Sequence, residues 1–157
     1  MKVEVGDKAP DFVRTDQDGN PVHLADRLSK KIVVLFFYPA DNSAGCTREA
    51  CAFRDSHEDF QDAGADVIGI SGGTTEGKQK FIRNNRLPFT LVNDADGAVQ
   101  EMYGIGKAGF TLFPPRITFV IDRERVIRHK FESRINMDAH AKEALSIVQA
   151  LVKEQVR

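Results

Sequence analysis

Eight consecutive residues, Lys31-Ile32-Val33-Val34-Leu35-Phe36-Phe37-Tyr38, hold an apolar run with no polar side chain after Lys31. A strand with one wet face would alternate apolar and polar residues, and an amphipathic helix would repeat every three or four. An unbroken run this short, rich in β-branched and aromatic residues, reads as an inner strand covered on both faces. It is far below the ~20 residues needed to span a membrane as a helix. Such a strand requires packed layers above and below it. The 157 residues suffice for that, since a chain of this size buries about two-thirds of its unfolded surface. We therefore expect one domain over residues 1–157, with no linker and no internal repeat.

The remaining pattern supplies the layers. Asp66 to Ser71 and Arg116 to Ile121 read as further strands. Val126 to Phe131 is more polar, follows the turn Asp122-Arg123-Glu124-Arg125, and predicts an antiparallel hairpin at a sheet edge. Ala50, Phe53, His57 and Phe60 recur at helical spacing, with Gly64 as the stop. A second helix is expected over Glu76 to Asn84 and a short third near Ala98 to Tyr103. The last places Ala141, Ala144, Leu145, Val148, Leu151 and Val152 on one stripe, with Asp138 as its N-cap. Asp18-Gly19-Asn20 suggests a small hairpin near the start. The order β-α-β-α, hairpin, helix implies an α/β fold of thioredoxin-like arrangement, a mixed central sheet flanked by helices on both faces.

Charge narrows the function. With 22 basic and 23 acidic side chains the net charge is −1, and no basic block occurs, so a nucleic-acid footprint is not expected. Met1-Lys2-Val3-Glu4-Val5 has no signal-peptide pattern. No membrane association is expected, and the chain reads as cytoplasmic, or organellar if a transit peptide was removed before residue 1. In a reducing compartment the two cysteines, five positions apart, are poor candidates for a permanent staple. Catalytic, redox and metal roles rise instead. Metal binding falls again, because His23, His57, His129 and His140 are scattered and no second Cys/His cluster exists. Each histidine reads as structural or solvated, and His57 as a packed core residue.

The chemistry concentrates in Phe37-Tyr38-Pro39-Ala40-Asp41-Asn42-Ser43-Ala44-Gly45-Cys46-Thr47-Arg48-Glu49-Ala50-Cys51. It leaves the carboxyl end of the central strand, where open α/β sheets gather their sites, and opens the first long helix. Ser43 is a good N-cap, which makes Cys46 the third helical residue. There the sulfur meets unpaired backbone N–H groups and the positive end of the helix dipole. Both favour a thiolate over a thiol. Cys51 faces elsewhere. Residues five apart on an ideal helix differ by roughly 140° and lie about 8.7 Å apart at Cα, beyond the ~7 Å that a disulfide tolerates. A bond between the two sulfurs therefore requires the first turn to unwind.

Pro39-x-x-x-Ser43-x-x-Cys46 resembles the Pro-x-x-x-Thr/Ser-x-x-Cys signature of peroxiredoxins. The string Gly45-Cys46-Thr47-Arg48-Glu49-Ala50-Cys51-Ala52-Phe53-Arg54-Asp55 is similar to their PrxQ branch, the bacterioferritin comigratory proteins. The likeness runs from Gly6-Asp7-Lys8-Ala9-Pro10-Asp11-Phe12 through Arg116-Ile117-Thr118-Phe119-Val120-Ile121-Asp122. It implies a peroxidase for hydrogen peroxide and organic hydroperoxides. In that reading Cys46 attacks the distal peroxide oxygen and becomes a sulfenic acid. Ser43 and the backbone N–H of Cys46 bind the peroxide, and Arg116 lies beside the sulfur. Pro39 shields it from water, and Glu49 helps orient Arg116. Cys51 attacks the sulfenic acid, and thioredoxin or a similar dithiol reopens the disulfide. The resemblance also implies a monomer and needs neither metal nor cofactor.

Two residues depart from the pattern. Many relatives have Thr-Pro-Gly before the cysteine, where this chain has Ser43-Ala44-Gly45. Ser lacks the methyl that restrains a Thr rotamer, and Ala44 lacks the fixed φ of a proline at the first helical position. A looser helix start is expected. Other functions compete. A protein thiol–disulfide oxidoreductase would suit the fold, but such enzymes commonly use Cys-x-x-Cys. A redox sensor and a cysteine protease complete the alternatives, the last without a local histidine motif. Phe110 to Pro115 is expected to be either a pocket wall or a plain loop.

Overall fold

The computed structural model describes residues 3–41, 43–105, 116–133 and 135–155. The stretch Phe110 to Pro115 lies outside them. The chain opens with a hairpin, β1 (Val13–Thr15) and β2 (Pro21–His23). Its turn closes on Asp16, whose Oδ1 accepts the backbone N–H of Asp18 at 2.8 Å and of Asn20 at 2.9 Å, and Gly19 takes a φ of +82°.

Five strands form the main sheet in the order β5-β4-β3-β6-β7. The apolar run supplies the central strand β3 (Ile32–Phe37), whose every residue is buried. On one side it pairs in parallel with β4 (Ala65–Ser71), which pairs in parallel with β5 (Thr90–Asn93). On the other it pairs antiparallel with β6 (Ile117–Ile121), and β6 with β7 (Ile127–Glu132), the expected edge hairpin. The sheet is therefore mixed.

Alternation along β3 divides the core. Val33, Leu35 and Phe37 face a layer made by Phe12, by Leu24 and Leu28 around α1 (Leu24–Leu28), and by Val99 and Tyr103 around α5 (Ala98–Met102). Ile32, Val34, Phe36 and Tyr38 face the other layer. There lie Cys46, Ala50 and Phe53 of α2 (Ala44–Asp55), Phe60 of α3 (His57–Asp62), Phe81 of α4 (Thr75–Asn85), and Ala141, Ala144, Val148 and Leu151 of α6 (Met137–Gln155). Phe36 anchors this second layer, stacking on Phe53 at 4.5 Å between ring centroids. No helix among the described residues is long and apolar enough to cross a membrane.

Four expectations change. The helix read as continuous to Gly64 breaks at Ser56, where ψ is near zero, into α2 and α3. Asp55 and Ser56 hold a helix poorly because their side chains compete with the backbone for hydrogen bonds. Gly64, with φ +78°, still ends the segment. The N-cap of α6 is Asn136, whose Oδ1 accepts from Ala139 N at 3.2 Å, and Asp138 lies inside the helix. Strand β5 and helix α1 do not figure in the sequence reading, being only four and five residues long. His57 is only half-buried, and its Nδ1 has no hydrogen-bond partner among the described residues.

Gly69, midway along β4, sits where side chains of the neighbouring strands leave no room: a Cβ there would lie 2.7 Å from both Leu91 Cδ2 and Phe36 Cζ. Gly69→Ala should lower stability by about 1–3 kcal/mol through overpacking, read as a reduced urea midpoint with an unchanged slope.

Candidate active site

The loop leaving β3 is held before α2 begins. Asp41 is gripped through both carboxylate oxygens: the Tyr38 hydroxyl donates to Oδ1 at 2.6 Å, and Lys78 Nζ donates to Oδ2 at 2.9 Å. Lys78 is fully buried on α4 and also donates to Ser71 Oγ at 2.8 Å and to the Gly72 carbonyl at 2.7 Å. A buried ammonium is tolerable only when its donors are matched in this way. Burial pulls the Lys78 pKa below its ordinary value, against the opposing pull of Asp41.

Ser43 caps α2 as expected. Its Oγ accepts the Cys46 backbone N–H at 3.3 Å and donates to the Ala40 carbonyl at 3.2 Å. Cys46 is thus the third residue of α2, buried, with the helix N-terminus beneath it. The N–H and hydroxyl expected to hold a peroxide are engaged with each other here, through a long bond that a better acceptor can displace.

Arg116, the residue before β6, reaches across to the same sulfur. Its Nη1 donates to Cys46 Sγ at 3.3 Å and to Glu49 Oε1 at 2.8 Å. Gly45 makes this approach possible, because a Cβ at that position would stand 3.1 Å from Arg116 Nη2 and 3.0 Å from Met137 Cε. Pro39 is half-buried at the end of β3 and lines a surface groove with Asp41, Gly72, Gly73 and Thr74.

Glu49 is fully buried, and desolvation outweighs the Arg116 charge, so its pKa is pushed up to about 7. Its second oxygen, Oε2, lies 3.3 Å from Nδ1 of His140 on α6. His140 is also fully buried; its Nδ1 lies 2.7 Å from Thr118 Oγ1 and its Nε2 2.8 Å from the Ser133 carbonyl. From the sequence this histidine reads as structural or solvated. Its spacing from Glu49 gives no local signal, because ninety-one positions separate them (140 − 49 = 91).

The structure thus unites Ser43, Cys46, Glu49 and Arg116 and leaves Cys51 apart. Cys51 is half-buried, and its Sγ lies 3.8 Å from Asn85 Oδ1 of α4. Both cysteines are free. Among the described residues no group of three or more His, Cys, Asp and Glu side chains is placed to hold a metal ion.

A cysteine at a helix N-terminus beneath a buried arginine, at the carboxyl end of the central strand, is an arrangement that suits thiol-based redox chemistry. Residues 5–130 match the AhpC/TSA family model. The chain is 41% identical over 150 residues to "Peroxiredoxin Q, chloroplastic" of Sedum lineare, spanning 96% of this chain and 80% of that one. With the protein of the same designation from Arabidopsis thaliana it shares 42% over 149 residues, 95% of this chain and 68% of that one. Among solved structures, peroxidoxin BcpB of Mycobacterium tuberculosis superposes with a TM-score of 0.89 at 40% identity, over 95% of this chain and 98% of that one. A mutant of Xylella fastidiosa PrxQ superposes at 0.86 over 96% and 98%, but at 23% identity it speaks to fold alone. The chain belongs to the AhpC/TSA family, in its peroxiredoxin Q branch, and is a thiol peroxidase of thioredoxin-like fold.

The raised Glu49 pKa has a sign that stability measurements can read. Its folded pKa, about 7, exceeds the unfolded 4.5, so the native state holds the proton more tightly. The resulting stabilisation is complete below the unfolded pKa and is lost as pH rises through the folded one. Relative to Glu49→Gln, the wild type should therefore lose stability between about pH 5 and pH 8, as followed by denaturant midpoints at each pH. A constant difference across that range would contradict the assignment.

Proposed function

We propose that Cys46 is the peroxidatic nucleophile and Cys51 the resolving thiol of a cycle in which the start of α2 unwinds. The observation that carries this is the Arg116 Nη1 bond to Cys46 Sγ, 3.3 Å long, at the third position of a capped helix. The thiolate attacks the distal oxygen of ROOH, the O–O bond breaks, and Cys46 becomes a sulfenic acid as RO⁻ leaves and takes a proton. Arg116 and the helix N-terminus stabilise the charge moving onto oxygen. Ser43 and the Cys46 N–H hold the peroxide in place of each other, and Pro39 limits water at the sulfur. Glu49 fixes the guanidinium. Cys51 then attacks the sulfenic sulfur, releasing water and forming the Cys46–Cys51 disulfide. Thioredoxin or a similar dithiol is oxidised in reopening it.

Residues 1–157 act in this reading as one catalytic domain and as a monomer, on hydrogen peroxide and organic hydroperoxides. We place the chain in a reducing compartment, the cytoplasm or an organelle of the kind for which the plant relatives are designated.

Peroxide turnover with thioredoxin as reductant tests the two thiols separately. Cys46→Ser should abolish reaction, whereas Cys51→Ser should form a sulfenic acid once and then fail to recycle. Full activity of Cys46→Ser would sink the assignment. Ala44, exposed at the first position of α2, tests the unwinding. Ala44→Pro should stiffen the helix start and slow disulfide formation after a single oxidation, by stopped-flow fluorescence or quenched thiol counting. An unchanged or faster step counts against a looser start.

A further inference from the structure

Three buried groups of the site can carry charge around one permanent cation. Arg116 touches both Cys46 Sγ and Glu49 Oε1. If both partners were anionic, one guanidinium would have to balance two negative charges in a dry core, which is unfavourable. Behind Glu49 stands His140. Its Nε2 faces the Ser133 carbonyl at 2.8 Å, and a carbonyl only accepts, so the ring proton of the neutral form sits on Nε2. Nδ1 then presents its lone pair to the Thr118 hydroxyl at 2.7 Å, and 3.3 Å away stands Glu49 Oε2, an oxygen with no hydrogen-bond partner among the described residues. A carboxylate oxygen held against that nitrogen is repelled, and a proton on Oε2 or on Nδ1 relieves the repulsion.

We infer that His140 is a positioning residue for the peroxidase reaction: with Glu49 it holds one proton behind Arg116, leaving the guanidinium's charge to Cys46. The inference rests on the proposed role of Cys46 as nucleophile. The proton lies on the carboxyl side, because burial raises Glu49 to about 7 and lowers His140 below the ordinary imidazole value. The groups facing His140 are few. Helix α2 presents Glu49, Thr118 comes from β6, and Arg116 stands just ahead of that strand. Strand β7 contributes the uncharged Phe131 ring, edge-on at 4.8 Å. Of the nearby carboxylates of α6, Glu143 lies 3.4 Å from His129 Nε2 and Asp138 pairs with Arg48.

Removing the proton's second holder makes Glu49 more anionic, gives it a larger share of Arg116, and weakens the thiolate. The test uses the Cys51→Ser chain, which has a single thiol, and follows iodoacetamide alkylation and thiolate ultraviolet absorbance across pH without any peroxide. His140→Gln keeps a donor toward Ser133 but cannot take the proton. It should move the midpoint of thiolate formation up by about one pH unit, with alkylation about tenfold slower on the acidic side and equal to the parent well above the midpoint. In the Glu49→Gln background the same His140→Gln change should have no further effect. An unmoved midpoint, or an equal shift with and without Glu49, overturns the inference; a uniformly lower rate at every pH marks a merely structural role and overturns it too. Should His140→Gln fail to fold, carbon NMR of Glu49 in the unaltered chain decides. A carboxyl titrating near neutrality supports the shared proton, and one titrating in the ordinary carboxylate range overturns it. Because alkylation and NMR need no turnover, these outcomes stay distinct from a failure of Cys46→Ser to lose peroxidase activity.

Discussion

One guanidinium nitrogen, Nη1 of Arg116, donates to the Cys46 sulfur and to a Glu49 oxygen at once, and the organisation of the site follows from that sharing. The arginine comes from the entrance of β6, the cysteine and the glutamate from the first two turns of α2. They meet because β6 lies directly beside β3, whose carboxyl end launches α2. Inserting a strand between these two would carry the guanidinium roughly 5 Å away, out of hydrogen-bond reach. The antiparallel half of the mixed sheet is thus part of the chemistry.

The approach is as tight as the contact. Gly45 gives the guanidinium its passage over the first turn, and the loop ahead of it is pinned by Tyr38 and Lys78 through Asp41. Those two anchors come from β3's end and from α4, so the loop before the helix start is tied both to the central strand and to a flanking helix. Lys78 has no solvent contact and no role in the proposed redox steps. Its hydrogen bond holds Asp41 in place.

The sequence made parts of this readable for definite physical reasons. Strand β3 was legible because only a doubly covered strand needs so unbroken an apolar run. The cap at Ser43 and the position of Cys46 were legible because capping is local chemistry. Arg116 was not: an arginine ahead of a strand has no periodic signal, and the family resemblance alone singled it out. His140 and Lys78 escaped even that, since each acquires its meaning from residues brought near only by folding: Glu49 and Thr118 for one, Asp41 and Ser71 for the other. The break at Ser56 was hidden because the stripe Ala50, Phe53, His57, Phe60 continues through it. Short elements at the margins, β5 and α1, carry too few residues to show a period.

The separation of Cys51 from Cys46 gives the opening of α2 a double task. In the reduced protein the helix start is held by the long Ser43 cap, by the exposed Arg48–Asp138 pair, and by the Arg116–sulfur bond. The first two are weak: an N-cap contributes about 1 kcal/mol and an exposed ion pair less. The third joins two opposite charges only while the sulfur is a thiolate; with a neutral sulfur only the guanidinium is charged and the bond is weaker. In the proposed cycle, conversion to a neutral sulfenic acid removes the sulfur's charge and weakens the strongest of the three restraints. Unwinding from Ser43 then costs less in that cycle, while Ala50 and Phe53, buried against the sheet, resist unwinding further along. In the proposed cycle oxidation thereby loosens the very segment that sets the sulfur at the helix N-terminus, and the first turn is expected to open after the peroxide has been spent rather than before.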